Sequence, residues 1–195
     1  MKESIAIIAA LLAIVGNIPY LKDIISKKIQ PHPYTWFVWS IVSLITFFGQ
    51  IAKGAGIGAL PTAASEIFTI IIFIYSLRYG FKDIKKIDTF FLILALLGII
   101  PWIFLRDPTI SIIIAVCIDL IAFVPTIRKT WKYPKTENPI LYGMNVLRHI
   151  LALFSMQTYN IATTLHSIAM IVTNSFMTII LLSRKNKDKK VRRLS

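Results

Sequence analysis

Residues 16–34 read GNIPYLKDIISKKIQPHPY, and residues 122–140 read AFVPTIRKTWKYPKTENPI. Each stretch leaves an apolar run at a proline, crosses a short basic loop and enters the next apolar run at a second proline. A single offset of 106 positions relates Pro19 to Pro125 and Pro33 to Pro139, and it also pairs Lys22 with Arg128 and Arg78 with Arg184. Prolines and loop charges are scarce in an apolar chain, so their recurrence is informative where that of Ile and Leu is not. The offset superimposes three apolar segments on three others. It leaves DTFFLILALLGIIPWIFL (88–105) as an unpaired connector.

The rest of the chain agrees with a membrane class. Of its 195 residues 56% are hydrophobic and nine are acidic, with a mean hydropathy of +0.70, which a water-soluble domain does not match. A bilayer core about 30 Å thick takes about 20 mainly apolar residues per helix. Seven stretches meet that length, at 4–20, 34–52, 57–77, 88–105, 109–127, 139–156 and 160–183. The first runs to Tyr20 without a polar cleavage region and has an internal counterpart, so it reads as a retained span rather than a signal peptide. The single cysteine, Cys117, lies mid-span and reads as an apolar packing residue.

Charge sets the expected orientation. With the N-terminus outside, the inner side holds Lys22, Lys27 and Lys28, then Arg78, Lys82, Lys85 and Lys86, then Arg128, Lys129, Lys132 and Lys135, and finally the tail RKNKDKKVRR from Arg184. Lys2, Lys53 and Arg106 fall outside. The positive-inside rule then gives N-terminus out and C-terminus in. The net charge of +13 is thereby explained by topology and anionic headgroups, with no folded module to suggest nucleic acid. The predicted architecture is an all-α integral membrane protein of seven transmembrane helices. Residues 1–80 form a first three-helix repeat, 81–107 a linker helix, 108–184 a second repeat and 185–195 a basic cytoplasmic tail. Because a three-helix unit crosses an odd number of times, the linker restores the direction and the repeats run parallel.

Seven spans in a 3 + 1 + 3 order, with Pro19, Pro33, Pro125 and Pro139 bounding basic inner loops, resemble the SWEET and PQ-loop (MtN3-like) transporter superfamily over the whole chain up to the tail. The segment SEIFTIIIFIY (65–75) resembles that family's third span. The resemblance implies transport by alternating access of two repeats, with the four prolines as gate or hinge. Two departures bear on substrate. The dipeptide that names PQ-loop proteins reads Pro19-Tyr20 and Pro125-Thr126 here. The asparagines the family uses for sugar are replaced in that region by Ala59, Thr62, Thr163 and His166. On physical grounds a proline near a span end either bends the helix or simply ends it, and one in the first turn is well tolerated.

Glu66, Asp119, Arg148 and His149 fall near the centres of their spans, joined by Ser43 and Asn174. An ionised group at that depth costs at least ~2.5–3.5 kcal/mol unless it faces protein or water, so these residues are expected to face one another around an interior site. Arg148 is expected to pair with Glu66 or Asp119. A surplus carboxylate then suits proton coupling, and the alternative is an ion pair that only locks the repeats together. His149 and His166 read as hydrogen-bonded interior histidines. Trp36 reads as an interfacial belt residue, while Trp39, matched by Asn145 in the second repeat, is a pocket candidate. Phe47, Phe48 and Trp102 read as packing or lipid-facing. The substrate-binding set is therefore Trp39, Ser43, Glu66, Asn145, His149 and Asn174.

Neither a cofactor nor a metal is expected, since no short-spaced ligand set occurs and Arg148 would repel a cation. Enzyme motifs such as His-Glu-x-x-His and Gly-x-Ser-x-Gly are absent, and the seventh span has no lysine for a retinal Schiff base. The expected function is secondary transport of a small polar solute (a sugar, amino acid or nucleoside), with proton coupling open. A passive SWEET-like sugar uniporter, a carrier of the nicotinamide riboside type suggested by Trp36-x-x-Trp39, and a non-transporting receptor of the same fold are the alternatives. The Ile- and Lys-rich composition suggests the cytoplasmic membrane of a prokaryote. Oligomeric state does not follow from the sequence.

Overall fold

The computed structural model describes residues 1–104 and 107–194, with side chains at 98–103 and 185–194 excepted; Trp102, Arg106 and the basic tail beyond Arg184 lie outside the described side chains. The chain is 85% helical, with no strand among the described residues. Its seven α-helices are α1 (Lys2–Ile25), α2 (Pro33–Ala52), α3 (Leu60–Tyr79), α4 (Lys86–Phe104), α5 (Pro108–Lys132), α6 (Pro139–Ser155) and α7 (Ile161–Leu194). Short 3₁₀ turns at Gly56–Ala59 and Pro134–Thr136 precede α3 and α6.

Among the described residues five segments are long and apolar enough to cross a membrane: Lys2–Ile25, Pro33–Ala52, Gly56–Tyr79, Pro108–Lys132 and Ile161–Arg184. Of the other two helices, α6 has 17 residues and carries Arg148 at its centre, which lowers its hydropathy. Polarity is arranged inside out. Large apolar side chains such as Leu11, Phe48, Ile74, Phe90, Phe154 and Ile179 are exposed, while Asn17, Gln50, Glu66, Asp119, Arg148 and His149 are buried. A soluble monomer rarely exposes so continuous an apolar surface. Cys117 belongs to that outer surface, and its reading as an apolar packing residue is corrected: it is exposed on α5.

The helices form a ring. Helix α3 packs closely against both α1 and α2, whose backbones stay apart and which meet through side chains such as Tyr20 and Trp36, and α7 packs closely against both α5 and α6, which likewise meet through Phe123 and Tyr142. Contacts of α1 with α6 and of α2 with α5 close the circle, and α4 docks outside it on α5 and α2. The neighbour relations of α1–α3 thus recur in α5–α7. Small residues permit the close crossings. A methyl group at Gly16 on α1 would lie 3.0 Å from Met144 Cβ on α6, and one at Gly49 on α2 would lie 2.7 Å from Ile112 Cδ1 on α5.

Pro33 and Pro139 occupy the first turns of α2 and α6. Pro19 and Pro125 lie inside helices that continue to Ile25 and Lys132, so neither ends its helix. Each removes one backbone hydrogen bond near the basic end of the ring. At that end His32 precedes α2, fully buried, 3.6 Å from Asp88. Burial pushes its imidazole down to about 4, against the upward pull of Asp88 and with a further downward push from Lys129.

Candidate functional site

The ring encloses a cavity of about 70 Å³. Every ring helix contributes to its wall: Asn17 from α1; Trp36, Trp39 and Ser43 from α2; Ser65 and Thr69 from α3; Asp119 from α5; Asn145, Arg148 and His149 from α6; His166, Met170 and Asn174 from α7. Seven of the candidate site residues named from the sequence therefore share one wall: Trp39, Ser43, Asp119, Asn145, Arg148, His149 and Asn174. Glu66 stands just behind Ser43, whose hydroxyl closely approaches its carboxylate Oε2. The same Ser43 Oγ lies 2.6 Å from Trp39 O, a turn earlier on α2.

Arg148 does not make the expected ion pair with Glu66 or Asp119. Its Nε donates to Asn145 Oδ1 at 3.3 Å, its Nη1 to Pro61 O at 3.4 Å and its Nη2 to His149 Nε2 at 2.6 Å. The ring order explains the difference. The backbones of α5 and α6 stay apart, and Asp119 on α5 turns instead to the closely packed α7, where its Oδ2 lies 3.3 Å from His166 Nε2. Arg148 reaches α3 at its first turn, at Pro61, rather than at Glu66. The His149 and His166 rings meet edge-on at 5.5 Å, and His149 Nδ1 faces Ser167 Oγ at 3.3 Å. Asn145 Nδ2 donates to Asn174 Oδ1 at 3.4 Å, and Asn174 Nδ2 to Met170 O at 2.8 Å.

Towards the basic end, aromatic rings follow one another. Tyr20 and Trp36 have centroids 5.6 Å apart, Trp36 and Trp39 5.2 Å, Trp39 and Phe123 5.1 Å, and Phe123 and Tyr142 6.3 Å. Trp36, read from sequence as an interfacial residue, is 4% exposed and lies in this layer. Beyond it the halves are tied together by buried polar contacts. Lys129 Nζ donates to Glu137 Oε1 at 2.5 Å and to Gln30 O at 2.6 Å, and Tyr20 donates its hydroxyl to Glu137 Oε2 at 2.8 Å. Thr126 Oγ1 donates to Thr35 Oγ1 at 3.0 Å, which donates to Ala122 O at 2.8 Å. Lys129 was counted with the headgroup-facing charges; it is fully buried.

The opposite end is joined differently. Lys2 Nζ donates to Met156 O at 2.7 Å, Gln157 N to Ala55 O at 3.2 Å and Asn160 Nδ2 to Lys53 O at 3.2 Å. The 3₁₀ turn presses Gly58 on Met156, where a methyl group would lie 2.8 Å from Met156 Cα. Most of these bonds end on backbone carbonyls. Ala59 packs on Met156, Thr62 donates to Gln50 Oε1 at 2.9 Å and Thr163 bonds within its own cap, so His166 alone of those four positions reaches the cavity. Phe48 is exposed, and Phe47 packs against the Ala55, Ala59 and Met156 cluster.

Asn17, Ser65, Thr69 and Met170 belong to the wall without having been singled out. Polar residues recurring on the inward faces of α1, α3 and α7 are the signal that would have found them. Among the described residues no cluster of three His, Cys, Asp or Glu side chains is arranged to hold a metal ion. Compared with protein-family models, characterised proteins and solved structures, the chain matches none.

Proposed function

We propose that the chain is a seven-span member of the SWEET and PQ-loop superfamily. Its N-terminus is outside and its C-terminus inside a prokaryotic cytoplasmic membrane, and it acts as a secondary transporter for a small polar solute. The observation that carries this reading is the polar cavity walled by all six ring helices, three from each half, near the middle of those helices. A site split between two similar units is what alternating access requires, because rocking one unit against the other exposes it to each side in turn. Pro19 and Pro125, inside α1 and α5 beside the aromatic layer, are the hinges of that motion, and Pro33 and Pro139 set where α2 and α6 begin.

Proton coupling has support in the Ser43 and Glu66 geometry. Ser43 has one hydroxyl proton and two oxygens at bonding distance, Trp39 O and Glu66 Oε2. A proton on Glu66 supplies the second hydrogen bond. Trp39 and Asn145, both on the wall, support a second reading: passive passage of a neutral solute such as a sugar stacked on the indole.

Uptake by proteoliposomes of a panel of sugars, amino acids, nucleosides and organic acids, with and without a pH gradient, tests the proposal. Saturable uptake of at least one solute is expected. Gradient-driven uptake that Glu66→Gln or Asp119→Asn abolishes assigns proton coupling, and uptake indifferent to both removes it. A chain that neither binds nor moves any member of the panel is not a transporter of this kind.

A further inference from the structure

The partners of Arg148 bear on what the cavity holds, given the transporter reading above. The residue is 5% exposed, yet each of its three hydrogen-bond partners is neutral: an amide oxygen, a backbone carbonyl and an imidazole nitrogen. Because the guanidinium only donates, His149 Nε2 accepts, which places the imidazole proton on Nδ1, facing Ser167 Oγ. His149 is thereby held as a neutral acceptor. The two nearby carboxylates are engaged elsewhere, Glu66 with Ser43 and Asp119 with His166. Among the described residues no acidic oxygen lies within 4 Å of the guanidinium, whose positive charge is buried against the cavity without a counter-ion.

Arginine carries five N–H donors in a planar fork that matches a carboxylate. Three are used, leaving two on a residue of the cavity wall. The buried indole N–H of Trp39, on the same wall, also has no partner. A neutral sugar would leave the guanidinium charge uncompensated, and a cation would be repelled. The cavity of about 70 Å³ equals the liquid volume of about two water molecules, which restricts an occupant to a few heavy atoms. We propose that the solute is a small organic acid and that Arg148 binds its carboxylate, with Trp39 as a further donor.

The test compares each of three acids, formate, acetate and lactate, with its own amide at fixed ionic strength. Binding to the purified full-length chain is read by tryptophan fluorescence and by thermal stability. At least one acid is expected to give a saturable fluorescence change and a raised melting temperature that its amide and glucose do not. Arg148→Gln is expected to weaken that response at least tenfold. Arg148→Lys, which keeps the charge and loses the planar fork, is expected to weaken it less, and it serves alone if the glutamine variant does not fold. Equal responses to acid and amide, no response to any acid, or an acid response unchanged in the variants would overturn the inference. The reading it rests on fails separately: a carboxylate that binds without crossing proteoliposomes refutes transport and keeps the anion site, whereas glucose uptake without acid binding does the reverse.

Discussion

At positions related by the 106-residue offset, α6 carries Arg148 and His149 where α2 carries Val42 and Ser43, α5 carries Asp119 where α1 carries Ala13, and α3 carries Glu66 where α7 carries Val172. The packing positions are far more alike: Gly16 answers to Ala122, Trp36 to Tyr142, and the four prolines to one another. Both halves therefore solve the same problem of three helices in contact, and only one of each pair is charged at the centre. A charge copied into both halves would meet its own kind across a narrow cavity, at a cost that grows as the dielectric falls. Near-symmetry in packing with asymmetry in charge yields a ring whose polar centre is oriented, which is what the proposed rocking about a binding site needs.

The largest expected effect breaks the comparison at the basic end. Lys129 and Glu137 form a buried pair in the second half, while their counterparts are Asp23, weakly paired with Lys28 at 3.9 Å, and Pro31. Lys129→Met is expected to destabilise the protein by roughly 3–5 kcal/mol, because it takes the cation from a buried carboxylate. Asp23→Asn is expected to cost under about 1 kcal/mol. Thermal unfolding in detergent reads both, and equal losses would show that the two ends of the halves are held alike.

His32 and Asn138 begin α2 and α6, and only Asn138 caps its helix, accepting from Ile140 N at 2.9 Å. With a folded-state value of about 4 against 6.5 unfolded, the unfolded chain takes up the His32 proton first as the pH falls. Its contribution is intact above pH 6.5 and is lost progressively down to pH 4, up to about 3 kcal/mol. His32→Asn, which copies the second half into the first, is expected to remove that part of the acid sensitivity. A pH profile of the melting temperature unchanged by the substitution would contradict this.

Arg148→Met makes the second half resemble Val42 of the first. Solute flux is expected to fall roughly 100-fold, the scale of losing a charge-assisted hydrogen-bonded pair. The melting temperature is expected to hold or rise, since an apolar side chain replaces a buried charge without a counter-ion. A large drop in stability would mean that the arginine serves to join α6 to α3. The smallest effects are expected from Pro19→Ala and Pro125→Ala, each slowing transport severalfold at constant binding affinity. A strong effect from one alone would show that the halves do not share the bending equally.

Much of this arrangement is legible in the amino-acid order because it depends on spacing. Apolar runs mark the seven helices, five of them long and apolar enough to cross a bilayer, and a polar residue amid such a run has nowhere inexpensive to go except the interior. That logic brought Ser43, Asp119, Arg148, His149 and Asn174 to one cavity. Partner choice depends on which helices pack closely, which the linear order does not contain: α5 and α6 are joined by a short loop, yet their backbones stay apart and α7 lies against α5, so Asp119 finds His166 and leaves Arg148. Trp36 and Lys129 mislead for a related reason. Their depth along the chain suits a headgroup layer, but both point inward, where Tyr20 and Glu137 receive them. Proline position alone also leaves bend and terminus undecided, and the helical turns continuing beyond Pro19 and Pro125 remove the terminus.

Cys117 sits on the outer face of α5, and the residue matched to it by the repeat is Leu11, exposed on α1. Nature has thus left one thiol available for a spin label without any mutagenesis. Leu11→Cys adds its symmetry mate, so pulsed electron resonance on the doubly labelled chain gives a ruler between the halves that the proposed rocking is expected to lengthen or shorten.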